Sequence, residues 1–481
     1  MHSQVKTLSG EVRGRTVGGV TSFLGIPYAA APFGAGRFRP PGPVTPWDGV
    51  RDALEHGPTA PAPGYPPPFS DLLPVVTIPG EECLNVNVWT PDPGAAGLPV
   101  MVWIHGGAFV NGSNSIPVYD GTAFARDGVV LVGVNYRLGA EGFLLLPDGT
   151  PNLGLLDQVA ALTWVRDNIA AFGGDPGNVT VFGESAGAMS VGALLAMPSA
   201  AGLFRRAILQ SGAAHHTLTP ATATKVAGYV ADEVGAQPSV ASLSTVSPER
   251  LVAAQQALAL QLAQAPDPGR WGEITANQMM FEPVVDGEVL PVPPTRAANP
   301  DVDVMIGTNC DEHRFFLVPP GGLDRVTDER LEAVAAAYRL PAGALGHYRA
   351  LHDNPGLVLA DVMTDWFFRL PALRLAEAHG RAHVYEFDWV TPVLGGRLGS
   401  CHALELGFVF DTLAAGTMLS GDDAPQALAD AMHAAWVGFA RTGDPGWEPY
   451  GEARRVRRFG DVIETQTDPR GAIRELWAGI R

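Results

Sequence analysis

The chain has 481 residues, 46% hydrophobic and 17% charged, enough to bury a large core. Fifty acidic against 32 basic residues give a formal net charge of −18, which argues against nucleic acid and anionic membrane surfaces as partners. Three cysteines, Cys83, Cys310 and Cys401, are too few and odd in number for a disulfide framework, so a reducing compartment is expected. The opening MHSQVKTLSGEVRG lacks the apolar stretch of a secretory signal, and no run of about 18 apolar residues predicts a membrane span.

In chain order, residues 1–60 hold short alternating runs at 11–15 and 20–24, a Gly18-Gly19 turn and a Pro-rich stretch at 40–46. They predict a small antiparallel strand unit. Residues 54–76 read as loop, with prolines clustered at 58–68. Residues 81–90 alternate as a strand does, and 100–104 form the continuous apolar run of a strand buried on both faces. That run ends in His105-Gly106-Gly107-Ala108-Phe109. A second such run follows at 129–135, and residues 153–172 carry Leu155, Val159, Leu162 and Ile169 at helical spacing. Residues 179–182 then predict a strand, Gly183-Glu184-Ser185-Ala186-Gly187 a tight turn, and 188–197 an apolar helix. Beyond residue 210 the chain turns helical at 214–280 and 325–380, with strands expected at 302–307 and 383–388 and a last helix at 425–442. The alternation from about 100 to 210 predicts an α/β fold with a doubly wound, mostly parallel sheet. The later helices are expected to wall over the serine.

A strand, then G-x-S-x-G, then a helix is the setting of a nucleophile elbow. Ser185 would stand on a strained turn, with a helix N-terminus behind it to favour developing negative charge. The bland alternative is a solvated serine in a glycine-rich turn. A hydrolase of this kind takes its acid and then its histidine from later in the chain. Asp311 and Glu312, just past the 302–307 strand, both qualify as the acid. Histidine candidates are His347, His352, His379, His383, His402 and His433. His402 has the best setting, a small-residue loop Gly399-Ser400-Cys401 before the apolar run at 404–410. Ala186 and the small residues of His105-Gly106-Gly107-Ala108 could offer N–H groups to an oxyanion. His379 and His383 stand four apart on a possible helix face, without the adjacent acid of a zinc motif, and are read as non-ligands. Cys310 and Cys401 lie beside the candidate acid and histidine, where a buried small hydrophobe is the simpler role.

These motifs together resemble the type-B carboxylesterase family, which includes para-nitrobenzyl esterases and cholinesterases. The resemblance rests on the run from Phe172 through Gly187 and on Glu81-Glu82-Cys83-Leu84-Asn85-Val86-Asn87-Val88-Trp89-Thr90-Pro91. Gly25-Ile26-Pro27-Tyr28-Ala29, residues 100–112, Asn135-Tyr136-Arg137, Gln210-Ser211-Gly212 and Arg441-Thr442-Gly443-Asp444-Pro445 extend it over nearly the whole chain. It implies an α/β-hydrolase domain over 1–481 with Ser185 as nucleophile, Glu312 as acid and His402 as base. It puts oxyanion donors on Gly107, Ala108 and Ala186. Glu184 falls near the histidine, and Ser211 matches a serine that contacts the acid in relatives. The acyl pocket falls on Asn277, Met279 and Phe281, with Phe315 and Phe316 closing one wall.

Some positions depart from the family pattern. His313 replaces the usual glycine after the acid, and Glu82 and Asn85 replace Asp and Tyr. Cys83 matches a cysteine that is bridged in secreted relatives, but no cysteine precedes it here. A cytoplasmic enzyme is expected, acting as a monomer or homodimer on small-molecule esters, with no metal, cofactor, nucleic acid or membrane. Activity should rise with pH through the ordinary imidazole range near ~6.5. Two rivals use the same fold: a non-catalytic adhesion protein of the neuroligin kind, and an amidase or carbamate hydrolase with the same triad.

Overall fold

The structure is a computed structural model that describes residues 1–296, 299, 301–341 and 343–480. A thirteen-stranded sheet runs through the described residues. It opens with the antiparallel strands His2–Lys6, Glu11–Val17 and Val20–Pro27. Gly18 and Gly19 join the second and third, both with positive φ, and Val17 pairs directly with Val20. A two-residue hairpin twisted to suit its strands needs that backbone, which only glycine adopts freely at both positions. Asn85–Thr90 follows in the sheet and is antiparallel to Val130–Val134.

From Val130–Val134 onward the sheet is parallel. Its order in space is Val130–Val134, Leu98–Ile104, Gly174–Glu184, Arg206–Gln210, Asp303–Asn309, His383–Phe387 and Arg455–Phe459. An antiparallel strand, Glu464–Thr467, closes the edge. Parallel strands need crossovers, and the helices lie on both faces of the sheet. That is why residues 100–104 are apolar without interruption. Val100, Val102 and Ile104 enter one core, while Met101 and Trp103 enter the other. The serine strand splits the same way, Val179 and Val181 to one side and Phe182 to the other.

Most predicted elements appear with shifted ends. The serine strand is longer, Gly174–Glu184, and its helix spans Ala186–Ala196. The helix predicted over 153–172 is α-helical at Leu153–Asn168 and tightens to a 3-10 turn at Ile169–Phe172. The helical stretch 325–380 breaks into several pieces. One of them, Asp365–Arg369, is a π-helical turn between Pro355–Thr364 and Leu370–His379. Pro371 accounts for part of this irregularity. It has no N–H to give to the carbonyl of Phe367 one turn back. His216 Nε2 lies 2.9 Å from that carbonyl instead.

His379 and His383 do not share a helix face. His379 ends a helix, Gly380 turns the chain with φ +77°, and His383 begins a strand. The three cysteines are buried and free. No helix among the described residues is long and apolar enough to cross a membrane.

Candidate active site

Ser185 sits between the end of its strand and Ala186, the first residue of the following helix, with φ 55° and ψ −123°. A non-glycine residue in this region is strained and needs support from both sides. That support comes from the Ser185 N–H, which donates to the Gln210 carbonyl at 2.9 Å, and from the close pass of strand and helix. A Cβ on Gly187 would fall 2.0 Å from the Ile104 carbonyl oxygen, and one on Gly183 would fall 2.5 Å from the Gly187 backbone. Both contacts are with backbone, which cannot swing aside, so both positions require glycine.

His105–Phe109 leaves the adjacent strand and passes over Glu184. Gly106 makes this possible, because a Cβ there would meet Glu184 Oε2 at 2.7 Å. Gly107 has φ +115° and Ala108 φ 54°, so successive peptide planes turn sharply. The turn is held from below. Tyr136 donates its hydroxyl to the His105 carbonyl at 2.8 Å, and its ring stacks on His105 at 4.6 Å. The His105 Nδ1 lies 2.8 Å from the Gly106 carbonyl. Burial pulls the His105 imidazole down to about 4, so it is neutral at physiological pH. Among the described residues, the N–H groups of Gly107, Ala108 and Ala186 have no acceptor.

Glu312 and His402 come together from segments ninety residues apart, with His402 Nδ1 2.6 Å from Glu312 Oε2. The other carboxylate oxygen of Glu312 accepts the Asn309 N–H at 2.8 Å. Asp311 points elsewhere. It pairs with Arg314 at 2.9 Å and accepts the Ser400 N–H at 2.9 Å. Three of the five remaining histidine candidates are engaged away from Ser185. His352 is 3.1 Å from Asp361, His379 bonds the Val302 carbonyl, and His433 bonds the Val409 carbonyl.

His402 Nε2 lies 3.1 Å from Glu184 Oε1, although that oxygen makes no hydrogen bond. A third carboxylate, Glu405, is buried close by. It accepts from Asn309 Nδ2 at 2.7 Å and from Gln210 Nε2 at 3.2 Å, and Trp436 in turn donates to Gln210 Oε1. Burial alone would lower the His402 imidazole, but the carboxylates of Glu184 and Glu312 outweigh it and push His402 up to about 9. This places the expected activity rise above the ordinary imidazole range. Burial likewise raises the Glu184 carboxyl to about 8, against the lowering effect of His402.

Ser211 does not make the contact expected of it. Its hydroxyl is buried without a hydrogen-bond partner among the described residues, while Asn309 and His402 bond the two oxygens of Glu312.

Ser185 and His402 open onto a cavity of about 400 Å³. Asn277, Met279, Phe315 and Phe316 line it. Phe281 does not, which corrects the sequence expectation. The Asn277 side chain bonds Glu282 and the Met279 N–H, closing a tight turn, and Phe281 packs into the core at 1% exposure. Sequence reasoning also missed part of the wall. Leu72, Leu73 and Pro74 enter from the Pro-rich loop, and Met363, Phe367 and Phe368 from the π-helical region. The run Trp366-Phe367-Phe368 shortly before Pro371 was the available signal for the latter. The H-x-x-E spacing after His402 was the signal for Glu405.

The comparisons with known proteins agree over the same span. The profile of the carboxylesterase family matches residues 1–467. The para-nitrobenzyl esterase of Bacillus subtilis is 40% identical over 98% of each chain. The phenmedipham hydrolase of Pseudarthrobacter oxydans is 35% identical over 91% of this chain and 90% of its own. Acetylcholinesterase of Bungarus fasciatus is 31% identical over 98% of this chain and 86% of its own. Among solved structures, the Geobacillus stearothermophilus carboxylesterase EST55 superposes with a TM-score of 0.86 at 38% identity, over 98% of this chain and 99% of its own. A strained serine beside a carboxylate-bound histidine, on a fold matched end to end, belongs with these relatives: the chain is a member of the carboxylesterase family and a carboxylic ester hydrolase.

Proposed function

We propose that this single α/β-hydrolase domain cleaves esters of short to medium acyl chain through an acyl-enzyme formed on Ser185. The observation that carries the reading is the His402–Glu312 hydrogen bond of 2.6 Å in a cavity that also exposes Ser185. Ser185 Oγ attacks the acyl carbon and its proton passes to His402 Nε2. The tetrahedral oxyanion is held by the N–H groups of Gly107, Ala108 and Ala186. Donors of this kind contribute roughly 3 kcal/mol each when they meet charge that develops only in the transition state. His402 returns the proton to the departing alcohol oxygen as the ester bond breaks. Water then attacks the acyl-enzyme by the same route, releasing the acid and restoring the serine.

Glu312 orients His402 and compensates the imidazolium. Glu184, 3.1 Å from His402 Nε2, acts as a positioning residue for the imidazole. Three buried free thiols suit a cytoplasmic setting.

The test is labelling with a fluorophosphonate probe followed by peptide mass spectrometry. Modification at Ser185, with parallel loss of para-nitrophenyl ester turnover, is expected. A folded protein that takes up no probe would overturn the reading and favour a non-catalytic role.

A further inference from the structure

His313 follows Glu312 directly and lines the same cavity, yet neither of its ring nitrogens has a hydrogen-bond partner among the described residues. Its backbone N–H donates to Thr364 Oγ1 at 3.1 Å, which anchors the residue and leaves the ring uncommitted. The residue is only 7% exposed. Three aromatic rings pack around the imidazole, Phe316, Phe367 and Phe368, at centroid distances of 5.2, 5.6 and 5.5 Å. Burial, with His402 adding to it, pulls His313 down to about 3. The ring is therefore neutral at working pH and carries one N–H donor and one bare nitrogen acceptor. Enclosing such a group without a partner is unfavourable, so a ligand that supplies the missing hydrogen bond gains from doing so.

The three covering rings are not equivalent. Phe367 and Phe368 are buried on the π-helical turn. Phe316 is 38% exposed and stands edge-on to Phe315 at 5.1 Å. It is the most exposed of the three rings.

We propose that His313 is a specificity-determining residue: when Phe316 turns aside, one imidazole nitrogen hydrogen-bonds a polar atom carried on the acyl chain, so esters of oxygen-substituted acids are preferred over esters of plain alkanoic acids. The inference rests on the ester-hydrolase site proposed above and on Met279 and Phe316 walling its acyl side.

The test pairs para-nitrophenyl esters of matched length: methoxyacetate with butyrate, methoxypropionate with valerate, methoxybutyrate with hexanoate. Each kcat/KM is divided by the hydroxide-catalysed rate of the same ester, which removes the inductive effect of oxygen. The normalised ether-to-alkyl ratio of the wild type should peak at one oxygen position, about fivefold to tenfold above the others, as one added neutral hydrogen bond allows. His313→Leu should flatten the profile, and His313→Gln, which restores a donor, should recover part of the peak. A flat wild-type profile with normal alkanoate turnover overturns this inference alone, and needs no variant to fold. An unchanged peak in His313→Leu also overturns it. A wild type that hydrolyses none of these esters, ether or alkyl, overturns the ester-hydrolase site, and the inference with it.

Discussion

The two sides of the cavity are built on different principles. The reacting side hangs from neighbouring parallel strands. Ser185 ends one and His105–Phe109 leaves another, while Glu312 lies three residues past a third. Backbone hydrogen bonds hold these strands in register, and glycines at 183 and 187 allow backbones to touch with no side chain between. The opposite side is assembled from the Pro-rich loop, the turn at Asn277–Met279 and the π-helical segment with Phe367 and Phe368. The apolar side chains it presents to the cavity meet substrate by packing, which tolerates exchange of one apolar group for another of similar volume. Substitution on the first side should therefore abolish chemistry, and substitution on the second should retune it.

The sharpest way to break this contrast is Ser185→Ala. It should lower ester turnover by about four orders of magnitude or more, with an unchanged thermal transition, since a single hydroxyl open to the cavity adds little packing. Retention of more than a few per cent of activity in a clean preparation would show that another group does the chemistry.

Next in size is Glu312→Gln, expected to cost about three to four orders of magnitude in kcat, because the imidazolium loses its compensating charge. Asp311→Asn should be much milder, since Asp311 pairs with Arg314 instead. Steady-state kinetics on both variants checks the ranking, and the reverse order would move the acid to Asp311.

A smaller effect concerns pH. Only neutral His402 accepts the serine proton, so kcat/KM rises as pH climbs through its pKa. With His402 up to about 9, the rise should continue well into mildly alkaline pH, above the ordinary imidazole value of ~6.5. Glu184 contributes to that elevation, so Glu184→Gln should move the midpoint to lower pH. A wild-type midpoint at or below ~6.5, unmoved by the substitution, would contradict this arrangement of charges.

The smallest effect sharpens the comparison from the wall side. Wild-type kcat/KM on para-nitrophenyl esters should climb from acetate to about butyrate or hexanoate and then fall. Each buried methylene contributes about 0.8 kcal/mol, roughly fourfold in rate, until the wall is reached. Met279→Phe replaces a flexible side chain with a rigid ring and should move the optimum toward acetate. An unchanged profile would place Met279 outside the acyl path, and a wild-type optimum at about twelve carbons or more would mean an open groove with no such wall.

What the sequence determined by itself lies where function is tied to backbone. Gly183 and Gly187 around Ser185, His105-Gly106-Gly107 at a strand end, and the unbroken apolar run at 100–104 each express a local steric or burial demand, and such demands are written in consecutive residues. The order of strands and helices, and with it the parallel sheet, follows from those runs. Asp311 and Glu312 are chemically equivalent in the sequence. The family resemblance favours Glu312, and the tertiary structure gives the physical reason, by turning Glu312 toward His402 and Asp311 toward Arg314. Phe281, which the resemblance assigns to the pocket, is sent to the core by three-dimensional packing, and Phe367 and Phe368 are brought into the cavity by the π-helical turn ahead of Pro371. The elevation of His402 is tertiary as well. It needs Glu184, Glu312 and Glu405 gathered around one buried imidazole, and the electrostatics of a site depend on distances between groups that the order of residues along the chain does not specify.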